Sequence, residues 1–294
     1  RPMSESAMVR RTGWSSVVVE RLALPALVFV SAAISVSLQL LSHNRVDLPP
    51  LLITVAGVTG LLALLRLMDD LKDLEKDRVA HPDRALARGA LSQVEAERGV
   101  GVGVWVLLAG AGALALWGPA RAGGWLALCA FWAFLMYREF FVPEFLGDRP
   151  VLYAVSHQAI IVLMYGFAAA AVGGGADARP EAWWFAATGL GASFTLEVCR
   201  KLDPAADPVL GTNRTSQGMG PTVGMTLVAL TLVVVASAPI GLAPVLWPVS
   251  GLVLVALAVA ALRPTAYRVA AGAAGVLAVV QPLAPLLDHL WRGS

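Results

Sequence analysis

The chain has 294 residues and a formal net charge of +2, with 57% hydrophobic and 14% charged residues and a mean hydropathy of +0.71. A soluble domain carries roughly 45–50% apolar and about 25% charged residues, so the composition excludes an ordinary water-soluble globule. The small net charge, with no dense Lys/Arg run interleaved with aromatics, excludes a nucleic-acid partner.

Nine apolar runs follow one another at about 22–41, 50–68, 99–117, 123–141, 151–172, 182–200, 221–239, 244–262 and 267–287. Each is close to the length that crosses a hydrocarbon core, and none shows the ten-residue alternation of a barrel strand. The expectation is an all-α polytopic membrane protein: one transmembrane domain over residues 1–294, with nine transmembrane helices. Arg10, Arg11 and Arg21 precede the first run without a convincing cleavage site, so that run reads as a retained first helix. An N-terminus in the cytoplasm places these arginines, the basic residues from Lys72 to Arg98, Arg138, Arg149, Arg200, Lys201, Arg214, Arg263 and Arg268 on the cytoplasmic side. Only Arg45, Arg121, Arg179 and Arg292 remain outside. This positive-inside asymmetry predicts an integral protein of the plasma (inner) membrane with a cytoplasmic N-terminus. Outer connections such as Gly173-Gly174-Gly175 are turns, whereas the polar cytoplasmic segments at about 69–98 and 201–220 hold the candidate chemistry. Cys129 and Cys199 stand alone in apolar stretches, which indicates neither a disulfide framework nor a zinc site.

In the first polar segment Asp69, Asp73 and Asp77 recur every four residues directly after the second run. On a helix continuing out of that run they stack on one face with about 40° of drift per step. Like charges at this spacing repel, and a hard cation held by oxygen ligands relieves the repulsion; Mg²⁺ takes one or two carboxylates and leaves its other positions to water and phosphate. The alternative is that Lys72, Lys76 and Arg78 neutralise the acids on a solvated helix end. Position at the membrane boundary favours a site, because ionisable groups there are costly.

The stretch from Phe131 to Glu144, with Tyr153-Ala154-Val155-Ser156-His157 after it, is the most aromatic of the chain. Trp132 and Trp183-Trp184 read as interfacial anchors. Glu139 and His157 are polar groups near run ends, placed to orient a second substrate or take a proton, although an interhelical hydrogen bond explains His157 equally well. The sixth run ends at Glu197, with Arg200 and Lys201 on the same helix face. Two cations beside a carboxylate suit a diphosphate, or else form a positive-inside anchor that complements the helix dipole.

Asp69-x3-Asp73-x3-Asp77 followed by His81-Pro82-Asp83-Arg84-Ala85-Leu86-x-Arg88-Gly89, with Glu197 opening a second charged segment, resembles the UbiA superfamily of intramembrane prenyltransferases. The resemblance spans nearly the whole chain and implies nine helices bundled around a cavity open near the cytoplasmic face, with two acidic motifs facing each other across it. It implies Asp69, Asp73, Asp77 and Glu197 as catalytic, Mg²⁺-binding acids, with Asp203 or Asp207 completing the second motif. Lys72, Arg84, Arg200 and Lys201 would meet the diphosphate, and Tyr137, Glu139, Phe140 and His157 would lie on the carbocation or acceptor side. The chain departs from the family pattern in three places: no Asn precedes Asp69, Lys201 stands four residues after Glu197 where a second acid is usual, and the Tyr-Ser pair of that loop is missing. The expected activity is Mg²⁺-dependent ionisation of a prenyl diphosphate with transfer to an acceptor. Alternatives are a terpene cyclase of the same superfamily and a non-catalytic transporter of an anionic lipid. The oligomeric state is left open by the sequence.

Overall fold

Proline opens the first turn of most helices, where its missing N–H costs nothing and its fixed φ suits helical geometry. The computed structural model describes residues 13–173, 179–200 and 219–293, and each of the nine apolar runs lies on a helix. These are α1 (Leu24–His43), α2 (Leu48–Lys72), α3 (Gln93–Trp117), α4 (Ala120–Tyr137) and α5 (Pro150–Val172). There follow α6 (Pro180–Cys199), α7 (Met219–Ser237), α8 (Ala243–Leu262) and α9 (Tyr267–Gly293). Proline stands in the first turn of α1, α2, α5, α6 and α8. In α3 a capping box does the same work: Ser92 Oγ accepts from Glu95 N–H, and the Glu95 carboxylate accepts from Ser92 N–H.

Among the described residues eight helices are long and apolar enough to cross a membrane, which makes this an integral membrane protein. The ninth, α6, is of similar length but carries Thr188, Ser193, Thr195 and two glutamates. It is wrapped by α5, α7, α9 and α1, so its polar groups meet protein rather than lipid. The lipid-facing surface is conspicuous on α3, where Val102, Trp105, Val106, Leu116 and Trp117 are exposed. Phe167 on α5 and Phe185 on α6 are fully buried at the centre with Leu38, Leu61 and Leu277.

Helices joined by short turns alternate in direction, so Asp69 and the ends of α4 and α6 lie on one side of the bundle. Exposed Trp117, Trp183, Trp184, Trp247 and Trp291 sit at helix ends on the other side and form an interfacial belt there. Trp132 is not part of it. Its indole Nε1–H donates to Ser156 O on α5 at 3.0 Å, which ties α4 to α5.

Several helix ends differ from the sequence expectation, with α3 starting at Gln93 and α9 running on to Gly293, and two of the differences touch the charged segments. The fourth span stops at Tyr137 and not at 141, and the helix after the second span is broken at Asp73 before resuming as Leu74–Ala80. Both breaks fall beside the charged residues.

Candidate active site

Asp69 lies in the last turn of α2, and Asp73 sits at the break with φ −88° and ψ 2°. The break keeps the one-turn spacing of the acids. Asp73 N–H donates to Asp69 O (2.9 Å), Asp77 N–H to Asp73 O (2.7 Å) and His81 N–H to Asp77 O (2.8 Å). Asp69 and Asp73 keep surface open to solvent but are partly desolvated by the protein around them, whereas Asp77 is buried. Burial raises the Asp73 carboxyl above the ordinary range and Asp77 adds to the rise, while Lys76, Lys72 and Arg84 oppose it. The charges acting on Asp69 are Lys72, Asp73, Glu197 and Arg66. The alternation of helix direction places the Glu197 end of α6 at the same end of the bundle as the acids of α2.

Arg84 returns to the acids from the following loop. Its Nη1 contacts both Asp77 carboxylate oxygens, at 2.5 and 2.6 Å. Ala85, Leu86 and Leu91 are buried beneath this loop, and Gly89 turns it at φ 73°. Arg88 then pairs with both oxygens of Glu20 at 2.8 and 2.9 Å, which fastens the loop to the segment preceding α1.

The third wall comes from the end of α4. Glu139, Phe140 and Phe141 have φ of 46°, 54° and 60°, a left-handed turn made without glycine. Each such residue costs roughly 1–2 kcal/mol, so the turn persists only because its side chains are held. Glu139 Oε1 is 3.1 Å from the Lys72 ammonium. Phe140 meets the His157 ring edge-on at 5.8 Å and the Trp132 ring at 5.3 Å. His157 stacks on Tyr153 at 3.9 Å between centroids, and its Nδ1 lies 2.8 Å from Tyr153 O. Lys72 Nζ also donates to Tyr153 OH at 3.1 Å and Met136 O at 3.4 Å.

The structure therefore brings Asp69, Asp73, Lys72, Glu139, Phe140, His157 and Glu197 to one end of the bundle, with Asp77 and Arg84 paired beside them. Arg200 lies 4.0 Å from Glu197. Tyr137 stands apart, on the side of Glu97 of α3. Lys201, Asp203 and Asp207 fall outside the described residues. Tyr153 and Met136 O were not singled out as site groups in the sequence; the Tyr153/His157 spacing of one turn was the available signal for the first, and a backbone carbonyl leaves none.

Among the described residues no three His, Cys, Asp or Glu side chains form a ready metal cage. Asp69 and Asp73 still suit Mg²⁺, whose usual protein sites supply one or two carboxylates and leave the rest to water and phosphate. The donor set is all oxygen, exposed, and next to cations that match a phosphate.

No protein-family model matches the sequence, and no curated protein does. Among solved structures the chain is similar to one from work on the biosynthesis of digeranylgeranylglyceryl phosphate synthase in membranes. The match has a TM-score of 0.63 at 13% identity and covers 92% of this chain and 96% of that one. At this identity the likeness is one of fold.

Proposed function

We propose that this chain, with the fold of that synthase, is a Mg²⁺-dependent UbiA-type prenyltransferase that ionises a prenyl diphosphate and passes the isoprenoid group to an acceptor. The observation carrying this reading is the gathering of Asp69, Lys72 and Asp73 at the end of α2, with Arg84 returning to Asp77 from the next loop and Glu197 in the last turn of α6 at the same end of an apolar bundle. An amphiphile with a diphosphate head and a hydrocarbon tail matches that distribution of charge and apolar surface. The Lys/Arg asymmetry of the sequence supports a cytoplasmic location for this end.

Asp69 and Asp73 would hold the ion, with Glu197 at the same end of the bundle. Bound Mg²⁺ supplies charge neutralisation to the diphosphate as it leaves. Arg84, whose guanidinium has donors beyond the one that holds Asp77, adds charge-assisted hydrogen bonds to the same oxygens, and Lys72 contributes its positive charge beside them. The C1–O bond breaks with its electron pair going to the diphosphate, which leaves an allylic cation. The ring of Phe140 stands beside the charged end and would stabilise such a cation as aromatic rings do others. The acceptor then bonds to C1 and releases a proton, for which His157 is the nearby base.

The test is incubation of the purified, detergent-solubilised protein with Mg²⁺ and geranyl, farnesyl or geranylgeranyl diphosphate, following diphosphate release and products by mass spectrometry. Consumption only with an aromatic, quinone or polyol-phosphate acceptor is the expected result. Cyclic products without acceptor would instead make it a terpene cyclase. Movement of the lipid across proteoliposomes without diphosphate release would make it a transporter.

A further inference from the structure

Lys72 is the last residue of α2 and sits between Asp69 and Asp73 in sequence, yet the acceptors of its ammonium belong to other elements. Its three N–H groups meet Glu139 Oε1, Tyr153 OH and Met136 O at 3.1, 3.1 and 3.4 Å. An ammonium has three donors, so this set saturates it. The side chains of Lys72 and Glu139 are 17% and 29% exposed, which gives the pair partial shelter from solvent. Glu139 reaches Lys72 because the chain leaves α4 through the left-handed turn, and Phe140 of the same turn is wedged against Trp132 and His157. A backbone that three L-residues disfavour is thus held where it presents one carboxylate to one lysine.

We propose that Glu139 is a positioning residue that fixes the Lys72 ammonium on the α4–α5 side of the acids and offsets part of its charge. The proposal rests on the prenyl-diphosphate reading of the site. In that setting a diphosphate at Asp69 and Asp73 meets Lys72 from a set direction, and the neighbouring carboxylate keeps the departing diphosphate from binding too tightly. Removing the Glu139 charge leaves a net cation. Ground-state and product binding then tighten while the aligned geometry is lost, so KM and kcat fall together.

Two arms test this on full-length protein in detergent. In the first, Lys72 and Lys76 are labelled with an amine-acylating reagent and read by mass spectrometry. Lys72 is slow in the wild type and several-fold faster in E139Q, while Lys76, 54% exposed, is unchanged as the internal reference for reagent activity and an unchanged Tm reports that the variant is folded. In the second, kinetics with geranylgeranyl diphosphate and inhibition by inorganic pyrophosphate are measured for wild type, E139Q, K72M and the double variant. E139Q lowers kcat and tightens pyrophosphate inhibition by about tenfold, the scale of one screened charge interaction. K72M weakens pyrophosphate inhibition, and adding E139Q to K72M recovers part of it by removing a like charge. Unchanged Lys72 labelling together with unchanged KM and kcat in E139Q overturns the proposal, as does strict additivity of the two substitutions. A wild-type protein inert towards every prenyl diphosphate overturns the function on which the proposal rests. That result is distinct from a wild type that turns over and an E139Q variant that matches it.

Discussion

Arg84 contacts both carboxylate oxygens of Asp77 through one guanidinium nitrogen, at 2.5 and 2.6 Å, and so draws the loop of residues 81–92 back onto the helix from which it leaves. Asp77 is buried at 6% exposure, while the Arg84 side chain keeps 30%. Breaking a fully buried pair from one side costs about 3–5 kcal/mol because a charge is left stranded. With Arg84 partly in solvent the expected cost of Arg84→Met is about 1–3 kcal/mol. Thermal unfolding in detergent should show a Tm several degrees lower, and the Asp77→Asn/Arg84→Met double variant should recover part of the loss. A double variant less stable than Arg84→Met would show that the pair does not act as a unit.

Asp73 carries an opposite signature. Burial and Asp77 raise its carboxyl above the ordinary Asp value of about 3.9, so the folded, ligand-free state disfavours its charge. For a raised acid the folded state binds the proton more tightly than the unfolded one. Its contribution is therefore favourable below the unfolded value and is lost as pH rises through the folded value. Asp73→Asn should raise the Tm at neutral pH without Mg²⁺, and the gain should vanish in acid. The same substitution should abolish diphosphate release, as should Asp69→Ala. Stability gained where turnover is lost identifies a charge retained for function; full activity in both variants would sink the site assignment.

The nine helices were legible because the bilayer demands apolar runs of fixed length, and α6 was legible in spite of its threonines and glutamates because its run is still predominantly apolar. The three acids were legible through their four-residue spacing, which survives the break at Asp73 because each N–H still closes on the preceding acid's carbonyl. The left-handed turn at Glu139–Phe141 was not. Nothing in Glu-Phe-Phe favours φ above zero, and the turn is held by Lys72 and His157 on other helices together with Trp132 and Phe134 further back on α4. The same reason hid the change of role of Trp132, whose indole finds a carbonyl of α5 that no local pattern announces.

Gly191 sets how closely α6, and with it Glu197, approaches α7. A Cβ at this position would lie 2.7 Å from Ala229 O and 2.8 Å from a methyl of Val233. The carbonyl belongs to helical backbone and cannot step aside, so Gly191→Ala must separate the helices. Overpacking of this kind costs about 1–3 kcal/mol. Both a lower Tm and a weaker response to Mg²⁺-pyrophosphate are expected, since the displaced helix carries Glu197 at the end of the bundle that holds Asp69. The contrast is Gly251→Ala on α8, where nothing lies within 4 Å of the added carbon; its Tm should match or exceed the wild type.

Deep in the bundle, Gln281 of α9 joins α5 and α6. It accepts from Tyr165 OH at 2.8 Å and donates to Thr188 Oγ1 at 2.9 Å and Phe185 O at 3.3 Å. All three side chains are buried. In water-soluble cores such a network would be worth much, but interhelical hydrogen bonds in membranes average only about 0.6 kcal/mol, because the unfolded helices find other partners in the bilayer. Tyr165→Phe removes one bond and should cost about that much. Gln281→Leu removes three and strands the Tyr165 hydroxyl, whose burial without a partner costs about 1–3 kcal/mol. The ordering to be measured is therefore Gln281→Leu well below Tyr165→Phe in Tm, with the double variant above Gln281→Leu alone. If the double variant unfolds below Gln281→Leu, the phenol is stabilised by something other than this glutamine, and the cost of Gln281→Leu must be assigned to packing around Pro282.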